Sequence, residues 1–155
     1  MQVKALVDKL SQFQMTITAM ESCTGGAIMN AITSVEGSSN VTEGGFVTYS
    51  NAQKIRVGVP ARVIEQYGVY SPECAEAMAK TVQELMEASM GIGVTGTLSN
   101  VDPNNPDSQP GQVHYSISYQ KLGTLTRTIT VPIMSRTLQK QYIAEVVLDS
   151  AMKVL

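Results

Sequence analysis

The feature that most restricts how this chain can fold is an alternation of two periodicities. Stripes of apolar residues spaced three and four apart give way, again and again, to short runs of β-branched and apolar residues that end in Gly- or Ser-containing turns. Val3, Leu6, Val7 and Leu10 mark one face of a first helix, and Met15 to Met20, with Ile17 between two threonines, reads as a short buried strand. Gly25 and Gly26 precede Ala27, Ile28, Ala31 and Ile32, the stripe of a second helix predicted to stop near Gly37. Phe46 to Tyr49 reads as a strand, Asn51 as the cap of a short helix through Val57, and Pro60 as the first turn of another that ends at Gly68. Ser71 as N-cap with Pro72 at the first helical position opens the clearest helix, striped by Ala75, Met78, Ala79, Val82, Leu85 and Met86.

Met90 to Thr95 reads as a strand. Val113 to Tyr119 and Thr124 to Val131 flank Lys121-Leu122-Gly123 as a hairpin. Ser135 is predicted to cap a last helix striped by Leu138, Tyr142, Ile143, Val146, Val147 and Val154. The order αβαβααβββα places the chain in the α/β class, as a three-layer α/β/α arrangement with a mixed sheet and a terminal antiparallel hairpin. A length of 155 residues fits one domain over 1–155 with a single core. The one break in composition is Thr97 to Gly111, TLSNVDPNNPDSQPG, which holds three of the six prolines. Pro removes a backbone donor and Asn and Asp favour turns, so 97–111 is predicted to be a long loop, the kind of segment that is usually functional or mobile.

Composition narrows the function classes. Eleven Lys and Arg against thirteen Asp and Glu leave no basic excess for a phosphate backbone, so nucleic acid is not expected as a partner. No apolar run approaches the roughly 20 residues of a membrane span, and the charged MQVKALVDKLSQ start is unlike a signal peptide, so a cytoplasmic protein with no membrane partner is expected. Two cysteines and the single His114 give neither a disulfide framework nor a histidine-rich metal centre, and no metal or other cofactor is expected. Charged residues are 15%, against about 25% in ordinary domains. Either another subunit covers part of the surface, or the surface is simply rich in Ser, Thr, Asn and Gln.

In an open α/β sheet, ligands gather beyond the carboxyl ends of the strands. Three such turns are readable: Glu21-Ser22-Cys23-Thr24-Gly25-Gly26, then Tyr49-Ser50-Asn51 with Lys54 one helical turn on, then Thr95-Gly96 entering the loop. Ser22 is a candidate nucleophile, and with His114 far along the chain on a strand, lysine is the remaining base; a desolvated ammonium can have its pKa brought down to serve. Plain N-capping explains the same Ser/Thr/Gly turn, and taken alone it is the stronger explanation. Cys23, beside Ser22, is a second candidate nucleophile that ranks lower without a neighbouring imidazole. Glu21 could position a water or a ribose, or act as a first-turn acid favoured by the helix dipole. Neither GxGxxG nor GxxxxGK[ST] is present.

As an ordered set, ESCTGG at 21–26, Gly37-Ser38-Ser39, Gly45 to Asn51 with Lys54, Gly58-Val59, Gly68 to Ser71, Thr95-Gly96, Pro110-Gly111 and Arg136 resemble the CinA C-terminal domain family, the stand-alone nicotinamide-nucleotide amidohydrolases. The resemblance implies deamidation of nicotinamide mononucleotide to nicotinate mononucleotide and ammonia by a Ser/Lys dyad without a metal. By match to the family's motifs, Ser22 would attack the carboxamide, Lys54 would take and return the proton, and Tyr49 would assist. Glu21, Thr24, Gly25, Gly26 and Ser39 are implied on the substrate side, with backbone amides of 24–26 as donors to an oxyanion or a phosphate. Ser50, Thr95, Gly96 and Arg136 complete that set, Arg136 for the phosphate charge. Where family members carry a short Gly-Pro-Asp-Gly-Gly-like run after the third strand, this chain has Thr97 to Gln109. A homo-oligomer, as a dimer, is also implied. The rival reading is a catalytically silent member of the fold that holds a nucleotide or a partner. The enzyme reading expects Ser22 Oγ and Lys54 Nζ within hydrogen-bond reach or one water of it.

Overall fold

The computed structural model describes residues 3–155. In chain order the elements are α1 (Val3–Gln12), β1 (Ile17–Glu21), α2 (Ala27–Thr33), a 3-10 turn (Ser38–Asn40), β2 (Phe46–Val47), α3 (Asn51–Val57), α4 (Ala61–Tyr67), α5 (Pro72–Leu85), β3 (Met90–Gly96), β4 (Gln112–Tyr119), β5 (Thr124–Thr130) and α6 (Arg136–Val154). The sheet runs β2-β1-β3-β4-β5, with β2, β1 and β3 parallel and β4 and β5 antiparallel additions. Parallel neighbours need crossovers, and helices supply them. The carboxyl ends of β1, β2 and β3 therefore open on one edge.

Helices cover both faces. Leu6, Val7 and Leu10 of α1, Ile28 and Ile32 of α2 and Ile143, Val147 and Leu148 of α6 pack with Ile17, Ile92, Val94, Val113 and Ile117 of the sheet. On the other face Cys74, Met78 and Val82 of α5 pack with Met20, Val59 and Val69. β3 is buried along its whole length, and its alternation is unusual: Ile92 and Val94 serve the first face, while Gly91 and Gly93 bare the second. A Cβ on Gly91 would lie 2.4 Å from the Ala79 carbonyl oxygen, and one on Gly93 would lie 2.2 Å from that of Ala75. The missing side chains let α5 settle directly on the sheet backbone.

Several sequence expectations are corrected here. Three helices stand between β2 and β3, as the separate stretches read along the chain imply and one more than the order αβαβααβββα counts, because α3 stops at Gly58 and α4 begins after Pro60. Strand β2 is only Phe46–Val47; the amide of Thr48 still bonds to the Glu21 carbonyl at 2.8 Å, but the chain then turns into α3. The cap of α3 is Ser50, whose hydroxyl accepts from the Gln53 amide, and Asn51 is the first helical residue. α2 ends at Thr33, short of Gly37. Leu85 and Leu138, predicted in apolar stripes, are exposed at 52% and 51%. Gln139 is buried instead at the start of α6, its amide donating to the Pro132 carbonyl and accepting from the Ser99 hydroxyl. The caps at Ser71 and Ser135, the hairpin and the irregular 97–111 segment are as expected. Among the described residues no helix is long and apolar enough to cross a membrane.

Placing a methyl group between β3 and α5 forces backbone apart, so Gly93→Ala is expected to cost about 3 kcal/mol, against about 1 kcal/mol for Ile92→Val one residue away. Urea denaturation of the two variants measures the difference; equal costs would show that α5 can retreat.

Candidate active site

At the edge where the parallel strands end, the ESCTGG bend is organised by its acid. Glu21 is fully buried, and its Oε1 accepts from the Thr24 hydroxyl at 2.6 Å and from the amides of Gly26 at 3.2 Å and Ile28 at 2.9 Å, while Oε2 accepts from the Met29 amide at 3.0 Å. The carboxylate thus meets the free N–H groups at the start of α2, where a negative charge is favoured. Gly25 and Gly26, at φ 59° and 106°, supply the left-handed backbone that folds the bend back on Glu21. With the bend held, the Ser22 amide bonds to the Val94 carbonyl at 3.1 Å, which fixes Ser22 at the end of β1 beside β3.

Lys54 comes from the next turn of chain. Capped by Ser50, α3 starts where β2 ends, and one helical turn later Lys54 points back under the bend. It is 1% exposed, the largest fully buried side chain of the chain as described. Its Nζ donates to the Thr48 carbonyl at 2.8 Å and lies 3.0 Å from Ser22 Oγ. Among the described residues it joins no ion pair; the three that form are exposed i,i+4 pairs. An ammonium has three protons to place and prefers a counter-ion, and this pocket offers two neutral acceptors. Burial accordingly drives the Lys54 pKa below the ordinary lysine value, opposed in part by Cys74, Cys23 and Asp102. An uncharged amine beside a hydroxyl can receive its proton.

Above the pair lies a cavity of about 720 Å³, of the size that holds small ligands. Ser22 and Cys23 form part of its floor, Tyr49, Ser50 and Asn51 one wall, and much of the 97–111 loop another. Burial pushes the Cys23 thiol up to about 12 and Cys74 up to about 11, so both stay protonated and neither is an activated nucleophile. His114, on β4, turns its Nδ1 to Thr128 Oγ1 at 2.7 Å and does not line the cavity.

Of the residues singled out from the sequence, the fold brings Ser22 and Lys54 together and lines the cavity with Tyr49, Ser50, Gly96 and Arg136. Tyr49 stands at the rim, 64% exposed, and its hydroxyl accepts from Arg136 Nη2 at 3.1 Å; it makes no bond to Ser22 or Lys54. Glu21, Thr24, Gly25 and Gly26 lie behind the cavity lining because they build the bend. The amide of Gly25 is taken by the Ser22 carbonyl and that of Gly26 by Glu21, which leaves only the Thr24 amide of the three without a hydrogen bond among the described residues. Thr95 is turned away, its hydroxyl donating to the Val69 carbonyl at 2.9 Å. Ser39 is exposed in the 3-10 turn, whose following residue but one, Val41, bonds to Ile17 at the opposite end of β1, so it lies far from the cavity.

Sequence reasoning missed Asp102, Asn105 and Tyr70, which line the cavity and bond to one another, and Lys140, whose Nζ would stand 3.1 Å from a Cβ on Gly25. The available signals were an Asp-Pro pair in a loop that follows a strand's carboxyl end, and the i,i+4 spacing of Lys140 from Arg136. Because Glu21 closes four donors at once, Glu21→Ala is expected to cost about 2 kcal/mol and to lower the melting temperature, with Glu21→Gln losing less; thermal and urea denaturation measure both, and a neutral result would remove Glu21 from the account of the bend.

Comparison with known proteins places the chain in a family. The family model described as CinA C-terminal domain matches residues 2–155. A protein of Pseudomonas putida named nicotinamide-nucleotide amidohydrolase PncC is 43% identical over 109 residues, covering 70% of this chain and 68% of that protein. A competence-damage inducible protein of Limosilactobacillus reuteri is 37% identical over 148 residues, 90% of this chain, and the chain spans about a third of its length, 34%. The crystal structure of a competence-damaged (CinA) superfamily protein from Escherichia coli superposes with a TM-score of 0.90 at 23% identity, over 99% of this chain and 88% of that one. That of a competence/damage inducible protein from Agrobacterium tumefaciens gives 0.88 at 25%, over 98% and 92%. By fold and by sequence, then, the chain belongs to the CinA C-terminal domain family.

Proposed function

We propose that this chain is a C–N amide hydrolase that converts nicotinamide mononucleotide to nicotinate mononucleotide and ammonia. The observation that carries the reading is the 3.0 Å contact between Ser22 Oγ and an amine buried without a counter-ion. The amine is held at its far side by the Thr48 carbonyl, so it cannot swing away from the hydroxyl. The size of the cavity, Arg136 on its lining and the name of the Pseudomonas putida relative support the nucleotide as substrate.

In this reading Lys54 Nζ, as free amine, accepts the Ser22 hydroxyl proton while Oγ bonds to the carboxamide carbon. Collapse of the tetrahedral adduct breaks the C–N bond, and Lys54 returns the proton to the departing nitrogen, which leaves as ammonia. A water then enters, gives a proton to Lys54 and attacks the ester; Oγ recovers its proton and nicotinate mononucleotide is released. Arg136, held at the rim by Tyr49, supplies the positive charge for the ligand's phosphate.

Ammonia release from the mononucleotide tests this directly. Ser22→Ala and Lys54→Arg are each expected to lower it by on the order of a thousandfold or more, the second because a guanidinium stays charged and cannot act as base. Tight binding of the mononucleotide by the unaltered chain with no ammonia released would instead favour a silent nucleotide-binding protein. The reaction needs the deprotonated amine, and the Lys54 pKa is lowered by burial from 10.5. The rate is therefore expected to rise with pH and to reach its plateau before pH 10.5; a rise continuing through the ordinary lysine value would exclude Lys54 as the base. Lys54→Met, which replaces a buried amine with an apolar chain of similar length, is expected to abolish turnover while keeping or raising the melting temperature.

A further inference from the structure

Resting on that reading, we infer that Asp102 is the specificity-determining group of the cavity, providing the countercharge for a cationic, quaternised heteroaromatic ring in the ligand. Asp102 sits in the 97–111 loop and is half-buried on the cavity lining. Its Oδ1 accepts from the Asn104 amide at 2.9 Å, and its Oδ2 accepts from Asn105 Nδ2 at 2.8 Å and from the Tyr70 hydroxyl. Three of a carboxylate's roughly four acceptor positions are thereby filled by neutral donors. The charge itself is not cancelled, since among the described residues Asp102 enters no ion pair.

What such a group still lacks is a positive charge, not a donor. A vicinal diol would ask for two free acceptor positions and find one. A ring whose nitrogen is alkylated has no N–H to place and spreads its positive charge over a flat face, so it matches an anion whose lone pairs are already engaged. Tyr70 and Tyr49 also line the cavity, and aromatic rings attract such a cation. Lys54, whose charged form Asp102 favours, is the group that burial drives toward the uncharged form.

The carboxylate is also held in place. Asn105, which donates to Asp102, accepts in turn from Asn51 Nδ2 at 3.0 Å, so the loop is tied to the first residue of the helix that carries Lys54. The Asp102 amide bonds to the buried Ser108 hydroxyl at 2.8 Å, which closes the loop on itself. A fixed anion discriminates by charge better than a mobile one, because no reorganisation weakens it when the wrong ligand enters.

The test compares two ligands on a Ser22→Ala background: nicotinamide mononucleotide, cationic in the ring, and its reduced dihydropyridine form, uncharged there and otherwise alike. Calorimetric dissociation constants are expected to favour the cationic form by about tenfold, and Asp102→Asn is expected to erase that preference while leaving the affinity for the reduced form unchanged. If Asp102→Asn weakens both ligands equally, Asp102 only supports the loop and the inference falls. The same holds if neither ligand binds. Ammonia release by the unaltered chain is scored separately: release together with an indifferent Asp102→Asn overturns this inference and leaves the amidase standing, whereas a charge preference without release overturns the amidase and leaves this inference standing.

Discussion

A buried lysine that joins no ion pair among the described residues is the constraint around which the rest of the molecule is arranged. Holding an ammonium away from water costs several kcal/mol unless a partner compensates, and here, among the described residues, its hydrogen-bond partners are the Thr48 carbonyl and the Ser22 hydroxyl. The amine can relieve that cost by losing its proton. Everything that aims the side chain follows from this requirement: the short β2, the cap at Ser50 and the single turn of helix that carries Lys54 back beneath the ESCTGG bend.

The bend depends on a second buried charge handled in the opposite manner. Glu21 is surrounded by four donors, the Thr24 hydroxyl and the amides of Gly26, Ile28 and Met29. The two groups divide the bend between them. One is tied by hydrogen bonds to the start of α2 and makes the backbone rigid; the other is deprived of ionic partners, and burial lowers its pKa so that more of it is present as the free amine. The bare stripe of Gly91 and Gly93 contributes from below, since α5 lies so close to β3 that the strand ends have little freedom to shift.

Much of this was legible in the sequence where local chemistry and periodicity agree. The α/β class, the mixed sheet, the caps at Ser71 and Ser135 and the closing hairpin were read from stripes and turn residues. Ser22 and Lys54 were picked out as nucleophile and base from strand-end turns and motif order, and the fold brings them together. Spacing could not assign Glu21, because an acid at that position can turn inward to a helix start or outward to a ligand, and only the path of the chain through Gly25 and Gly26 decides. Ser39 and Thr95 failed for a related reason. A motif records sequence order, whereas Ser39 ends up at the far end of β1 and Thr95 bonds to Val69 across a layer. The loop was recognised as a loop, but its tie to α3 through Asn105 and Asn51 is a contact across 54 positions that no local pattern encodes.

The enclosed lysine has a consequence for assembly as well as for chemistry. In the unfolded chain its amine is solvated and titrates as an ordinary lysine, while in the folded chain its pKa is lowered from 10.5. Between those two values the unfolded chain binds more protons, so acquiring the native structure expels one, and native stability climbs with pH up to about 10.5 and declines as the medium is acidified toward the lower value. The interior of this molecule therefore operates as a proton-linked latch, in which forming the cleft and arming its base are a single thermodynamic event.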